Sequence, residues 1–254
     1  MILMLNIHHI HADEIVIPDR IVTDPLIPIE GYRDGFGNWC SRIVAPQGLI
    51  RLSTDAILRC TDEPDIAAPS ARQIPVQELP SKSLVFLVGS RYCETDRLSQ
   101  AAWDLFGRLP EGWERVQSIC DYVHQLITFD YARTDPTKSA VDAFEEKAGV
   151  CRDFAHLAIA FCRCMNIPAR YCTGYLGDIR VPPPKDPMDF AAWMEVYLDG
   201  GWYIFDPRNN ARRMGRILIA RGRDAADVPI SNSFGPSVLK TFRVWADEVT
   251  EPTG

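Results

Sequence analysis

Cationic charge is in short supply along this chain: its 254 residues hold 27 Lys and Arg against 34 Asp and Glu, a formal net charge of −7. No basic stripe appears, which argues against nucleic acid or an anionic membrane surface as a general partner, because both are recognised by clustered Lys and Arg. No apolar run approaches the roughly 20 residues of a membrane-spanning helix. The start, Met1 to Ile10, is apolar but contains Asn6, His8 and His9 without a cationic flank, and it reads as a first strand, not as an export signal. Neither a phosphate-cradling glycine loop nor a plausible metal-ligand spacing occurs, so no cofactor and no metal are expected. Histidine is scarce too, with five residues in all: His8, His9, His11, His124 and His156.

What is present fits an ordinary globular protein with room for a large core. Eight cysteines would be an even set for disulfides, but in a large chain without an export signal they read as reduced thiols, and the cytoplasm is the expected compartment. Cys162 and Cys164 form a Cys-x-Cys pair. Two positions apart on a helix point in different directions and no second pair lies nearby, so core packing is the better account.

Two regions differ in period. Residues 1–90 contain short β-branched runs broken by Pro and Gly (Ile15–Ile17, Leu49–Leu52, Ala56–Leu58, Leu84–Val88), with Asp34-Gly35 and Gly37-Asn38 as turn pairs. This is the pattern of a small antiparallel β-domain, and residues 61–82, rich in proline, read as an extended connection. From Asp96 helical spacing takes over. Leu98, Ala101, Ala102, Leu105 and Phe106 mark one helix; Trp113, Val116, Ile119, Cys120, Val123 and Ile127 mark a second. Strand patterns follow a third helix: Arg170–Leu176, Ala191–Leu198, Trp202–Phe205, Arg216–Ile219 and Leu239–Trp245. Helices first and strands afterwards predict an α+β domain over 91–254, with an antiparallel sheet packed on the third helix.

That third helix opens on Cys151 and ends before Asn166-Ile167-Pro168. Phe154, Leu157, Ala158, Phe161, Cys162 and Met165 form one apolar stripe, and Asp153 in the first turn suits the positive end of the dipole. A thiol at a helix N-terminus is placed where its pKa is expected to fall and its nucleophilicity to become usable.

Asp199-Gly200 is a good pair for a two-residue type I′ hairpin loop. If it forms, Leu198 pairs with Gly201 and Trp193 lies opposite Asp206. Positions 191 and 206 then become diagonal neighbours on one face, about 7 to 8 Å apart. A Gly200-Gly201 loop would separate them further, and an unbulged three-residue loop would put them on opposite faces. Trp193 and Glu195 share that strand face, as a cleft wall and a member of a structural polar network; Trp202, Tyr203 and Phe205 read as core.

Four blocks in order, Gly149-Val150-Cys151-Arg152-Asp153-Phe154-Ala155-His156, Ile167-Pro168-Ala169-Arg170-Tyr171 with Gly174-Tyr175, Asp189-Phe190-Ala191-Ala192-Trp193-Met194-Glu195, and Trp202 with Phe205-Asp206-Pro207, resemble the bacterial transglutaminase-like family of papain-type cysteine enzymes. The resemblance covers about residues 95 to 245, and the β-rich first third is similar to the region that often precedes that domain. It implies a cysteine, a histidine and an aspartate in chain order at Cys151, position 191 and Asp206. The family's histidine stands where this chain has Ala191. That chemistry needs the imidazole twice, as the partner that makes the thiolate and as the acid that protonates a departing amine. Alanine does neither.

His156 lies five residues past Cys151 on the same helix, rotated by about 140° and displaced by about 7.5 Å, so it faces elsewhere. His124, on the preceding helix, is the remaining candidate for a substitute base. The resemblance therefore implies a cysteine hydrolase or acyltransferase acting on amide bonds of a peptide or protein, weak or inactive as written. The alternative is a catalytically dead binding protein on the same fold. Some members of the family need calcium, but no acidic loop of the right pattern occurs here. The Pro182–Pro187 segment is a candidate for a loop that selects the acceptor.

Overall fold

The computed structural model of the chain describes residues 1–61, 63–182 and 188–249. Its first part is all strand and turn: β1 (Ile2–Leu3), β2 (Ile15–Ile17), β3 (Val22–Asp24), β4 (Ile29–Arg33), β5 (Trp39–Ile43), β6 (Arg51–Ser53) and β7 (Ile57–Leu58). The β4–β5 hairpin closes through Asp34, whose carboxylate accepts from the Phe36 and Asn38 N–H groups at 2.9 Å each, so one side chain organises the Asp34-Gly35 and Gly37-Asn38 turn.

The second part holds four helices, α1 (Thr95–Phe106), α2 (Trp113–Leu126), α3 (Ala140–Glu146) and α4 (Cys151–Cys164), with the short strands β8 (Thr128–Phe129) and β9 (Ala148–Gly149) between them. It then runs through β10 (Ala169–Leu176), β11 (Ala191–Leu198), β12 (Gly201–Phe205), β13 (Arg216–Gly222) and β14 (Ser231–Asn232). The larger sheet has the order β12-β11-β10-β13, with every pair antiparallel. β14 returns to pair with β1, so the first sheet reads β14-β1-β5-β4 and takes a strand from each end of the chain.

α4 sits at the centre. It packs on α1, α2 and α3 on one side and on β10 and β11 on the other. Every residue from Asp153 to Cys164 is buried, so the single apolar stripe expected for this helix is a helix enclosed on all sides. Phe154, Leu157, Ile159 and Phe161 are fully buried, each contributing about 1.5–3 kcal/mol of transfer free energy. Cys162 and Cys164 are core thiols, and no metal-ligating cluster occurs among the described residues. Of its buried polar residues Asp153, His156 and Arg163, the last spends its guanidinium on the carbonyls of Val88, Ala169 and Arg223 and on the Ser90 hydroxyl.

Several expectations are corrected. Leu84–Val88 is no strand: Ser81–Phe86 forms a 3-10 turn in which the Ser83 hydroxyl donates to Pro80 O at 2.8 Å. The connection over 61–82 therefore carries helical turns, the other at Val76–Glu78. Only Ile2–Leu3 of the first ten residues is strand. Leu239–Trp245 finds no strand partner and lies with Leu239 and Trp245 exposed. The short helix α3 had no long periodic signature; a capping box closes it, with Ser139 and Asp142 bonded to each other's backbone N–H.

The β11–β12 turn is as the sequence reads. Asp199 and Gly200 both have positive φ, 45° and 88°, and Leu198 pairs with Gly201. Gly200 has open space where a Cβ would stand, so the strain of substitution is purely backbone. Gly200→Val is expected to cost about 1–2 kcal/mol in urea unfolding; an unchanged midpoint would mean that the turn does not hold the hairpin.

Candidate active site

The loop before α4 is built around Asp153. Its Oδ2 accepts from the Val150 N–H at 2.9 Å, closing the helix start, and Arg152 lies against Oδ1 at 3.2 Å. A Cβ on Gly149 would stand 2.4 Å from Asp153 Oδ2, so the glycine lets the carboxylate fold back over the chain. The parallel pairing of β8 and β9 places Phe129 beside Gly149 and ties the end of α2 to the approach to Cys151. Cys151 thus becomes the first residue of α4, half-buried, with its Sγ 3.9 Å from Phe190 O, immediately before Ala191.

On the sheet, Met194 pairs with Phe205, and continuing that register by one residue puts Asp206 opposite Trp193. Arg216 confirms the shared face: its guanidinium stacks 4.6 Å from the Trp193 ring and holds Asp206 Oδ2 at 3.0 Å. Strand alternation puts Ala191 on that face too, where it packs against the cluster of Cys172, Trp193 and Leu218. Gly174, directly across from Ala191 on β10, lies at a register shift, and a Cβ there would be 2.0 Å from Ile217 O. The proposed positions 151, 191 and 206 therefore come from the start of α4, the start of β11 and the residue after β12.

Asp206 is buried and fully engaged. Asn209 donates its backbone N–H at 3.0 Å and its side-chain amide at 2.8 Å, and Arg216 completes the set. Burial works against Arg216's charge, yet Asp206 and Asp65 outweigh it and hold the guanidinium above its ordinary value. Sequence reading missed Arg216 and Asn209, because a lone arginine in a strand carries no local sign of its partner. Trp193 is 1% exposed, so it is core under Arg216 and not the cleft wall that its strand face suggested. Glu195 does enter a polar network, with Arg170 at 2.5 Å.

Burial pushes the Cys151 pKa up to about 11, and the carboxylates of Asp189 and Asp206 push the same way; the Ala192 N–H and the Arg208 cation only partly oppose them. The fall expected from the helix terminus is overridden, since desolvation disfavours the thiolate and outweighs the Ala192 N–H and Arg208.

No other histidine takes up the role. His156 is buried between Tyr92 and Tyr171, accepts from the Ala225 N–H at 3.1 Å, and burial holds its pKa well below the ordinary value. His124 directs Nδ1 to the carbonyls of Pro207 and Arg208, at 3.2 and 2.9 Å. It anchors the segment after Asp206, together with the Gln117–Asn210 and Asn210–Asp121 bonds from the same helix. His8, His9 and His11 bond within the β-rich region and to Leu218. Of the Pro182–Pro187 segment, residues 183–187 lie outside the described residues.

Comparison with known proteins places the chain in a family. A model of the transglutaminase-like superfamily matches residues 102–207, from α1 to the residue after Asp206. The crystal structure of a candidate cysteine protease from Cytophaga hutchinsonii is 30% identical, with a TM-score of 0.77, over 97% of this chain and 88% of that one. Uncharacterised proteins of Mycobacterium leprae and Mycobacterium tuberculosis are 26% identical over 223 residues and 29% identical over 217, covering 84% and 78% of this chain and 78% and 69% of theirs.

Two outcomes follow from the site. Asp206→Ala leaves the Arg216 guanidinium, 4% exposed, with one fewer counter-charge, and is expected to lower unfolding free energy by about 3 kcal/mol. Cys151→Ala, at a half-buried position, is expected to change it by less than about 1 kcal/mol; a loss of several would make the thiol core. Iodoacetamide reacts with the thiolate, so labelling of Cys151 should rise about tenfold per pH unit between pH 7 and 10. In Ala191→His it should be fast well below pH 7. Unchanged labelling in that variant would show that position 191 does not address the sulfur.

Proposed function

Since the chain belongs to the transglutaminase-like superfamily, we propose that it is organised for cysteine hydrolase or acyltransferase chemistry on amide bonds of peptides or proteins, with turnover weak or absent as the sequence stands. The observation that supports this reading is the meeting of Cys151 with the Phe190–Ala191 backbone, while Asp206 shares the strand face of position 191. The full-length similarity to the Cytophaga hutchinsonii protein, described as a candidate cysteine protease, points the same way.

With an imidazole at position 191, the reaction would run in balanced steps. The ring takes the thiol proton, the sulfur adds to the amide carbonyl, and the imidazolium returns the proton to the departing amine. Water or a second amine then attacks the thioester, giving hydrolysis or acyl transfer. Asp206 would orient the ring and balance its charge. Alanine removes both proton transfers, and a thiol near 11 supplies only about one thiolate in ten thousand at pH 7. Members of such a unit do not replace one another, so the loss amounts to orders of magnitude.

The second reading, a binding protein on the same fold, draws on the completed polar environment of Asp206, which satisfies the carboxylate without any histidine. The cleft would then hold a peptide or protein without cleaving it. Eight unpaired thiols favour the cytoplasm as its place of work.

Turnover of a fluorogenic peptide amide separates the readings. Ala191→His is expected to exceed the parent chain by at least 100-fold, with the gain lost when Cys151→Ala is added. No gain in a folded Ala191→His variant that still binds the peptide would favour the binding protein.

A further inference from the structure

A cavity lies apart from Cys151, which is not among its lining residues. The β4–β5 turn, the 3-10 turn at Ser81–Phe86 and the outer face of the large sheet enclose a cavity of about 450 Å³. Three cations face it, Lys82, Arg170 and Arg221, between the aromatic rings of Phe36, Phe86 and Trp202. The Arg170 guanidinium lies 3.9 Å from the Trp202 ring, and Phe86 meets that ring edge-on at 5.4 Å.

Among the described residues the charges do not balance. Glu195 is the acid paired with the two arginines, and the bonds are uneven: Arg170 holds Oε2 at 2.6 and 2.5 Å through Nε and Nη2, whereas Arg221 reaches it only at 3.8 Å. Asp34, beside the turn, already accepts from the Phe36 N–H, the Asn38 N–H and the Asn38 amide. Burial, and then Arg170, hold Arg221 below its ordinary pKa, and nearby His8 is lowered to about 3 by burial first and by Arg221 next. In a chain of net charge −7, a half-enclosed concentration of positive charge against aromatic walls is a local departure that needs a counter-charge.

We propose that this cavity binds an oxyanion, a carboxylate or a phosphate, carried on an aromatic or apolar body. The Arg221 guanidinium, which Glu195 reaches only at 3.8 Å, matches a planar or tetrahedral oxyanion, Lys82 at the rim supplies a point charge, and the rings accommodate the attached body. The volume falls within the range of small-molecule sites. The site is independent of whether Cys151 turns over substrate.

Calorimetric titration of the intact chain tests this with four probes: N-acetylphenylalanine, phenyl phosphate, the neutral N-acetylphenylalaninamide, and acetate. At least one aromatic anion should bind ten or more times tighter than both the neutral amide and acetate, and the preferred anion identifies the oxyanion. Lys82→Ala, an exposed change, and Arg221→Gln should each weaken that binding about fivefold or more. Absence of binding by either aromatic anion, equal binding of the neutral amide, or wild-type affinity in folded Lys82→Ala would overturn the assignment.

Discussion

The hairpin register between β11 and β12 is the constraint on which the candidate site depends. Two residues with positive φ, Asp199 and Gly200, join the strands with no slack, so the pairing of Leu198 with Gly201 propagates without a break to Met194 and Phe205. Side chains alternate along a strand, and a slip of one residue would turn Asp206 from the face it shares with Trp193 and Ala191 to the face that packs on α4. The pairing of Ala191 with Gly174, whose missing Cβ admits Ile217 O, fixes the other side of β11. α4 meets this arrangement from below, and the Asp153 carboxylate over Gly149 sets where its first residue stands.

Electrostatics show how Asp206 is accommodated with no imidazole at position 191. Asp206 is an acid in a buried place, and Asn209 and Arg216 supply three hydrogen bonds to its carboxylate, two on Oδ2 and one on Oδ1. Arg216 is shared with Asp65 and lies on Trp193, so the charge on each side is compensated whatever residue occupies position 191. The thiol, in contrast, loses most by the absence of an imidazole. Desolvation near Phe190 favours the neutral S–H, and the Arg208 cation, which opposes it, is spent partly on the Phe129 ring at 4.2 Å. On the reading proposed above, alanine at position 191 would remove the proton transfers while the charges around Asp206 stay compensated.

Much of this was legible in the amino-acid sequence where local chemistry decides the outcome. The turn pair Asp199-Gly200, the period of the helices at 95–106, 113–126 and 151–164, and the alternation over 191–198 each specify their own geometry. The α+β class followed from their order. What escaped depends on distant partners. Arg216 finds Asp206 and Asp65 only through the folded sheet, and β14 joins β1 across almost the whole chain. Leu84–Val88 has the composition of a strand, but the preceding Pro80 and the Ser83 hydroxyl turn the segment into helical turns. The thiol misled for a related reason: the helix terminus is visible in sequence, whereas the burial that outweighs it belongs to the assembled sheet.

A crystal structure of Ala191→His tests the central geometric claim most directly. The account predicts an imidazole with one nitrogen within about 4 Å of Cys151 Sγ and the other within hydrogen-bond distance, about 2.6–3.2 Å, of Asp206. A ring turned away from the sulfur, or an Asp206 that stays with Arg216 and Asn209 and never reaches the ring, would contradict it.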